Sequence, residues 1–587
     1  MTGATAAARP ATGPAREPAP VAGPAGELEA LLDARPDVFS AERSGELDRA
    51  EELPADACAL LDAFGLPAYY VPAEAGGRLD DHELLFHLLR TVAVRDLTVA
   101  VAHGKTYLGA IPVWVAGDPG QARRLGARIT DGARVSWALT EPGHGADLLA
   151  GEVSARPADG GYRLDGVKWP INNATAGSHL CVLARTDEAG GPRGHSFFLV
   201  DKAELPAGSH RPLPKARTHG IRGADISGIA FEGARVPASA LVGREGGGAE
   251  TALLGLQLTR TVCASLSAGA AEHALRLAVR FAGERVIQDR PLIERPNVRA
   301  VLARAAGALA AVEAAGIVGA RAVHGLTGEM SVISAVVKAL APTLTDRMLG
   351  DLAELLGSRA FLTREYASGA FQKLQRDHRV VGIFDGSTVV ARNALINQFP
   401  RLVRGHAAGS RDVAGLAVTA RAGTPPGELD WARLSLVSRT GCSVVQGLRP
   451  ALDAAAKGAV TKGGAALEGA EPLVGGVLAA VDAVHGRMAA IRPSARPDIE
   501  AFEVAADYEL CFAAASCLHL WAAGAADGSA DGALWLRAAL RHLLEGLGRA
   551  PDPDPADDER IAGLLARAVA EGRPLSPFRG DQDGERT

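Results

Sequence analysis

The chain of 587 residues has room for several domains, and 47% apolar against 22% charged residues supports a large core and excludes wholesale disorder. Its 62 Lys and Arg against 68 Asp and Glu leave a net charge of −6, which argues against nucleic-acid binding driven by phosphate neutralisation. The six cysteines are scattered, without a C-x-x-C pair or a histidine at metal spacing. Neither a disulfide scaffold nor a metal site is expected, and a reducing, cytoplasmic setting fits.

Residues 1–26 are rich in Ala, Pro and Gly without apolar periodicity and read as a disordered arm that contains no signal-peptide segment. No run of about 18 uncharged apolar residues occurs, so no membrane span is expected. Residues 27–133 carry apolar residues at three- and four-residue spacing, as in ACALLDAFGLPAYY, and predict a helical domain. The period then changes. RVSWALTEP, GYRLDGVKW, HLCVLAR, HSFFLVD and ISGIAFEGARV alternate as strands and define a β-domain over 134–245. Asp165-Gly166 between two alternating runs predicts a hairpin turn there. Helical periodicity returns over 246–405. The stretch after His406 contains a Pro-Pro-Gly break and reads as a linker leading into an Ala/Leu-rich helical extension, 406–575, with a tail at 576–587. The fold class is mainly α with a central β-domain.

There is no G-x-S-x-G, P-loop, H-E-x-x-H or strand-linked G-x-G-x-x-G, so hydrolase, zincin and Rossmann chemistry have no anchor. Four segments carry more. TEPGHGAD, Thr140–Asp147, follows a strand with a Pro-Gly-x-Gly turn that lets backbone approach a flat ligand, or is an ordinary turn. VKWPINNA, Val167–Ala174, joins an aromatic to two amides. Arg285 opens a basic run that suits phosphate or forms a solvated face. QRDHRVVGIFDGST places Asp385 at the end of an apolar run on a Gly-bearing turn. A carboxylate in apolar surroundings is a candidate base; the other reading is a turn or capping Asp.

In this order and spacing the four segments resemble the acyl-CoA dehydrogenase family of flavoproteins over about residues 45–405. TEPGHGAD is similar to the family's TEPGxGSD, KWPINN to KxWITN, GIRGADISGIAFEGARVP to its segment ending DVxVP, LTRTV to the TR opening the next helix, and RDHRVVGIFDGST to RDxxxxxIYEGT. The resemblance implies a helical domain, a β-barrel or sandwich, a four-helix bundle, and FAD between the last two. It implies that Asp385 is the base, that the Gly386 N–H holds a thioester carbonyl, and that Phe384 and Ala146 line the substrate. Leu139, Thr140, Gly145 and Asn172 would fall at the flavin. Arg285 and Gly357 would reach the FAD diphosphate across a subunit boundary, Ser387 would lie near the adenosine half, and Thr259 and Arg260 near the substrate's carrier arm.

Departures are Asp385 for the usual Glu, Ala146 for Ser, Pro170 where a Trp often covers the flavin, and Glu354 for a Gln. The implied activity is α,β-dehydrogenation of an acyl thioester on CoA or a carrier, by a homodimer, with an electron-transfer flavoprotein as a possible acceptor. The alternatives are an oxidase using O₂ on acyl-CoA or a nitroalkane-type acid, a branch that uses Asp as base, and a flavin-free binding or assembly protein on the same fold. The extension resembles in size that of very-long-chain acyl-CoA dehydrogenases and acyl-CoA oxidases.

Overall fold

The structure, a computed structural model, describes residues 23–462, 469–524 and 530–578. Helix α1 (Pro24–Asp33) takes in the last three residues of the stretch read as an arm, because Pro24 stands at the first helical position, where its fixed φ suits a helix start. The arm up to residue 22 lies outside the described residues. Helices α2 (His82–Arg95) and α3 (Leu97–Ala116) follow, each capped by an aspartate: Asp81 accepts from the N–H groups of Glu83 and Leu84, and Asp96 from those of Thr98 and Val99.

The β-domain is one eight-stranded sheet. Strands β1 (Val135–Ala138), β2 (Ser154–Ala158), β3 (Gly161–Asn172), β4 (His179–Arg185), β5 (His195–Asp201), β6 (His210–Leu213), β7 (Ile226–Pro237) and β8 (Leu241–Val242) run in the order β6-β7-β3-β2-β4-β5-β8, with β1 parallel to β4. The hairpin predicted at Asp165-Gly166 is not there. The β2–β3 turn lies at Asp159-Gly160, with Gly160 at φ +75°. Asp165-Gly166 instead forms an irregularity inside β3, where Asp165 accepts from Gly233 N–H of β7 at 2.7 Å.

Helices α4 (Gly248–Glu284), α5 (Pro296–Gly325), α6 (Met330–Leu356), α7 (Ala370–His378) and α8 (Thr388–Ile396) complete the central body; α4, α5, α6 and α8 form the bundle. Helix α2 is locked to it by Arg90, which is fully buried between Glu272 of α4 at 2.9 Å and Glu313 of α5. Removing one member of such a buried network typically costs about 3–5 kcal/mol. The end of the extension and the start of the segment read as a tail, whose residues 579–587 lie outside the described ones, join this network: Leu575 N–H donates to Glu272 and the Ser576 hydroxyl to Glu313.

The stretch read as a linker is not loose. It contains α9 (Val413–Ala420), capped by Asp412. Buried Arg321 of α5 donates to the carbonyls of Val418 and Thr424, and Glu83 of α2 accepts from Gly423 N–H. A buried guanidinium needs those acceptors, and that requirement fixes the chain. Beyond lie α10 (Glu471–Ala490), α11 (Ile499–Ala522), α12 (Ala530–Gly546) and α13 (Pro555–Ala570). Helices α11, α12 and α13 pack on α5. Gly307 of α5 lets the Ala538 carbonyl stand 2.4 Å from where a Cβ would be. By length and composition α5 and α10 could cross a membrane, but the apolar window of α5 is 89% buried as the bundle's inner helix.

Candidate active site

Asp385 lies on the turn between α7 and α8. Its φ is +55° and that of Gly386 is +89°, two successive left-handed residues. Such a backbone costs a non-glycine residue of order 1 kcal/mol, and Asp tolerates it better than most. Ser387 then caps α8 by accepting from Val390 N–H. The turn is anchored from below by Asp377, fully buried, which accepts from Thr98 of α3, Lys373 and Ile221 N–H. One carboxylate thus ties the helical domain, the β-domain and the motif together.

Four elements meet at Asp385. Lys105 of α3 donates to its carboxylate at 3.0 Å, with side chains only 15% and 9% exposed. The Cys263 thiol of α4 lies 3.7 Å from the other carboxylate oxygen. Arg260 Nε of α4 donates to the Asp385 main-chain carbonyl at 3.2 Å. Lys338 of α6 donates to the Val381 carbonyl, and its ammonium lies 5.5 Å from the centre of the Phe384 ring, against 3.8 Å for Lys105. Burial pushes Lys338 down to about 8 against the opposing pull of Cys263 and Asp385, and burial pushes Arg260 below its usual value. Burial, aided by Asp385, raises the Cys263 thiol to about 12, so it is a neutral donor.

These surroundings correct the expectation of an apolar pocket. Ile383 is 66% exposed, and the carboxylate faces an ammonium rather than hydrocarbon. Lys105, Cys263 and Lys338 were missed as site residues. Lys105 and Lys338 do carry a signal, since each is a lone charge in a run of apolar and small residues, VAHGKTYLG and SAVVKALAP.

Across from this cluster, β1 runs out into Leu139 and Thr140, both half-buried. Glu141 is held by Lys168 at 2.7 Å and by the N–H groups of Glu152 and Val153, and Trp169 N–H donates to the Thr140 carbonyl, so the turn is pinned to β3. Gly143, Gly145 and Ala146 are exposed, and a Cβ at either glycine would meet nothing within 4 Å. At the end of β3, Asn173 donates to the Ala102 carbonyl of α3, one turn before Lys105. Its neighbour Asn172 has both amide atoms buried without a partner, as are the Trp137 indole N–H and the Thr259 hydroxyl. An open turn beside unspent buried polar groups fits a flat, polar-edged ligand such as a flavin.

Thr259 and Arg260 do not face solvent: Thr259 is fully enclosed and Arg260 is folded onto the Asp385 turn. Arg285 and Gly357 lie elsewhere. Arg285 is 25 residues beyond Arg260 on the same helix and its cap, about 37 Å at helical rise. Both are exposed, and the Gly357 turn adjoins the end of α4, where Arg359 stacks on Phe281 at 5.2 Å. Phe361 beside them is 89% exposed.

Residues 136–234 match the pattern of the acyl-CoA dehydrogenase middle domain, and residues 246–399 that of its C-terminal domain. The mitochondrial short-chain specific acyl-CoA dehydrogenase of Homo sapiens is 28% identical over 372 residues, 62% of this chain and 86% of that one. An acyl-CoA dehydrogenase from Bacillus anthracis, solved with FAD, is 20% identical, with a TM-score of 0.66 and 92% of each chain covered, extension included. Butyryl-CoA dehydrogenase from Megasphaera elsdenii is 22% identical, with a TM-score of 0.58, covering 64% of this chain and 97% of that one.

Proposed function

The chain belongs to the acyl-CoA dehydrogenase family, and from that premise we propose that it is an FAD-dependent oxidoreductase that removes the α-proton of an acyl thioester with Asp385. The observation that carries the reading is the Asp385-Gly386 turn. A carboxylate almost closed off from solvent sits in left-handed backbone beside a cation, where the helical domain meets the bundle.

The chain's residues divide the work. Lys105 pairs with the Asp385 carboxylate and fixes one of its oxygens; the other, beside the Cys263 thiol, accepts the proton. The Gly386 N–H donates to the thioester carbonyl and so acidifies the α-carbon. Arg260 holds the Asp385 carbonyl and thereby the turn. Asn172, Thr140 and the Gly143–Gly145 turn hold the flavin, and Arg285 with the Gly357 turn serves a second subunit's cofactor, so the working unit is a homodimer. When bound, FAD supplies the acceptor for the β-hydrogen as hydride. Aspartate is one methylene shorter than the glutamate usual in the family, so the substrate's α-carbon sits about 1 Å deeper.

Acid denaturation should release one FAD per subunit. Anaerobic mixing with a panel of acyl thioesters should bleach the flavin absorbance. Flavin-loaded protein that no thioester bleaches would refute the dehydrogenation reading.

A further inference from the structure

The Asp385 site holds more positive charge than it neutralises. Lys105, Arg260 and Lys338 converge on a single carboxylate, and Lys105 alone forms an ion pair with it. Among the described residues, no carboxylate lies within salt-bridge reach of Arg260 or Lys338, although both are buried. Lys338 spends one donor on the Val381 carbonyl and Arg260 its Nε on the Asp385 carbonyl; neutral acceptors satisfy hydrogen bonds but leave the charge.

Among the described residues the other fully buried lysines and arginines are matched. Arg90 has Glu272 and Glu313, Lys373 has Asp96 and Asp377, Lys168 has Glu141, and Arg321 has Glu83. Among the described residues, the fully buried cations without a paired carboxylate, Arg260 and Lys338, thus both lie at Asp385. Buried charge without a counter-charge is costly, and Lys338 bears that cost in its depressed basicity. Lys105 and Lys338 both lie within reach of the Phe384 ring, so the charge is spread around the residue before the base.

We propose that the acyl group taken by this site carries an anionic substituent, a carboxylate near the reacting carbons, which Lys338 and Arg260 pair with when the thioester binds. The substrate class is then a mono-thioester of a dicarboxylic acid rather than a plain fatty acyl chain. This rests on the reading of Asp385 as the base of a thioester site. The carboxylate completes the charge balance that the protein leaves open, and it distinguishes substrates by a buried, charge-assisted contact rather than by chain length.

The test uses ligands that cannot react. S-carboxypropyl and S-carbamoylpropyl pantetheine share the arm common to CoA and carrier proteins, lack the thioester carbonyl, and differ only in the charge of the terminal group. Calorimetric titration of the flavin-loaded protein is expected to give at least tenfold tighter binding of the carboxylate, and Lys338→Met should bring the ratio of the two dissociation constants towards one. Arg260→Met is the second variant, should Lys338→Met lose its flavin. Equal binding, tighter binding of the amide, no binding of the carboxylate, or a ratio unmoved by either variant would overturn the proposal. A protein that prefers the carboxylate but whose flavin no thioester bleaches would keep this inference and lose the dehydrogenation reading, so the two fail separately.

Discussion

Replacing Lys338 by methionine keeps the length of the side chain and removes the buried charge. Burial lowers the Lys338 ammonium from 10.5 to about 8. At 1.36 kcal/mol per pH unit, a charged Lys338 destabilises the fold by about 3 kcal/mol, before crediting its hydrogen bond to the Val381 carbonyl with about 1 kcal/mol. The net expectation is that Lys338→Met is more stable by roughly 1–3 kcal/mol at pH 7. The sign follows from proton counting. Between pH 8 and 10.5 the unfolded chain holds the Lys338 proton and the folded one does not, so wild-type stability rises with pH through that window. The variant's advantage is therefore full below pH 8 and fades by 10.5. Thermal melts of both proteins at fixed FAD, read at pH 7 and again near pH 10, measure it. A variant no more stable at pH 7, or one whose advantage is the same at both pH values, would refute the reasoning. A site residue whose removal stabilises the protein is what a retained functional cost looks like.

Three further substitutions or deletions probe separate parts of the account. Gly386→Ala places a Cβ 2.7 Å from an Arg260 guanidinium nitrogen at φ +89°, so flavin reduction should fall at least tenfold with little loss of bound FAD, measured by stopped-flow absorbance. Arg285→Ala should lower both FAD retention and dimer stability, read by absorbance ratio and sedimentation; an FAD-saturated monomer would contradict it. A chain ending at Arg404 uncovers the face of α5 around Gly307 that α11, α12 and α13 cover, and it should aggregate or associate further in size-exclusion chromatography.

What could be read from the sequence was what local chemistry decides. The strand-to-turn change at Thr140–Gly145 and the Gly-bearing turn at Asp385 are set by neighbours a few residues away, and the order of helical domain, sheet, bundle and extension follows from period changes. Asp165-Gly166 misled because its aspartate serves Gly233 across the sheet, a partner 68 residues distant that turns the hairpin signal into a bulge. The 406–430 stretch misled because buried Arg321, not its own periodicity, decides where it lies. The cationic surroundings of Asp385 were hidden for the same reason: Lys105 is 280 residues away, and only its isolation among apolar and small neighbours marked it.

The central claim is that the Asp385 carboxylate takes the α-proton. It is tested most directly by anaerobic flavin reduction in Asp385→Asn, with an acyl thioester that bleaches the wild-type protein. Asparagine keeps the size and the turn and cannot accept the proton. The account predicts FAD bound as in wild type and reduction slowed by about 10²–10⁴-fold. Reduction at the wild-type rate would contradict it.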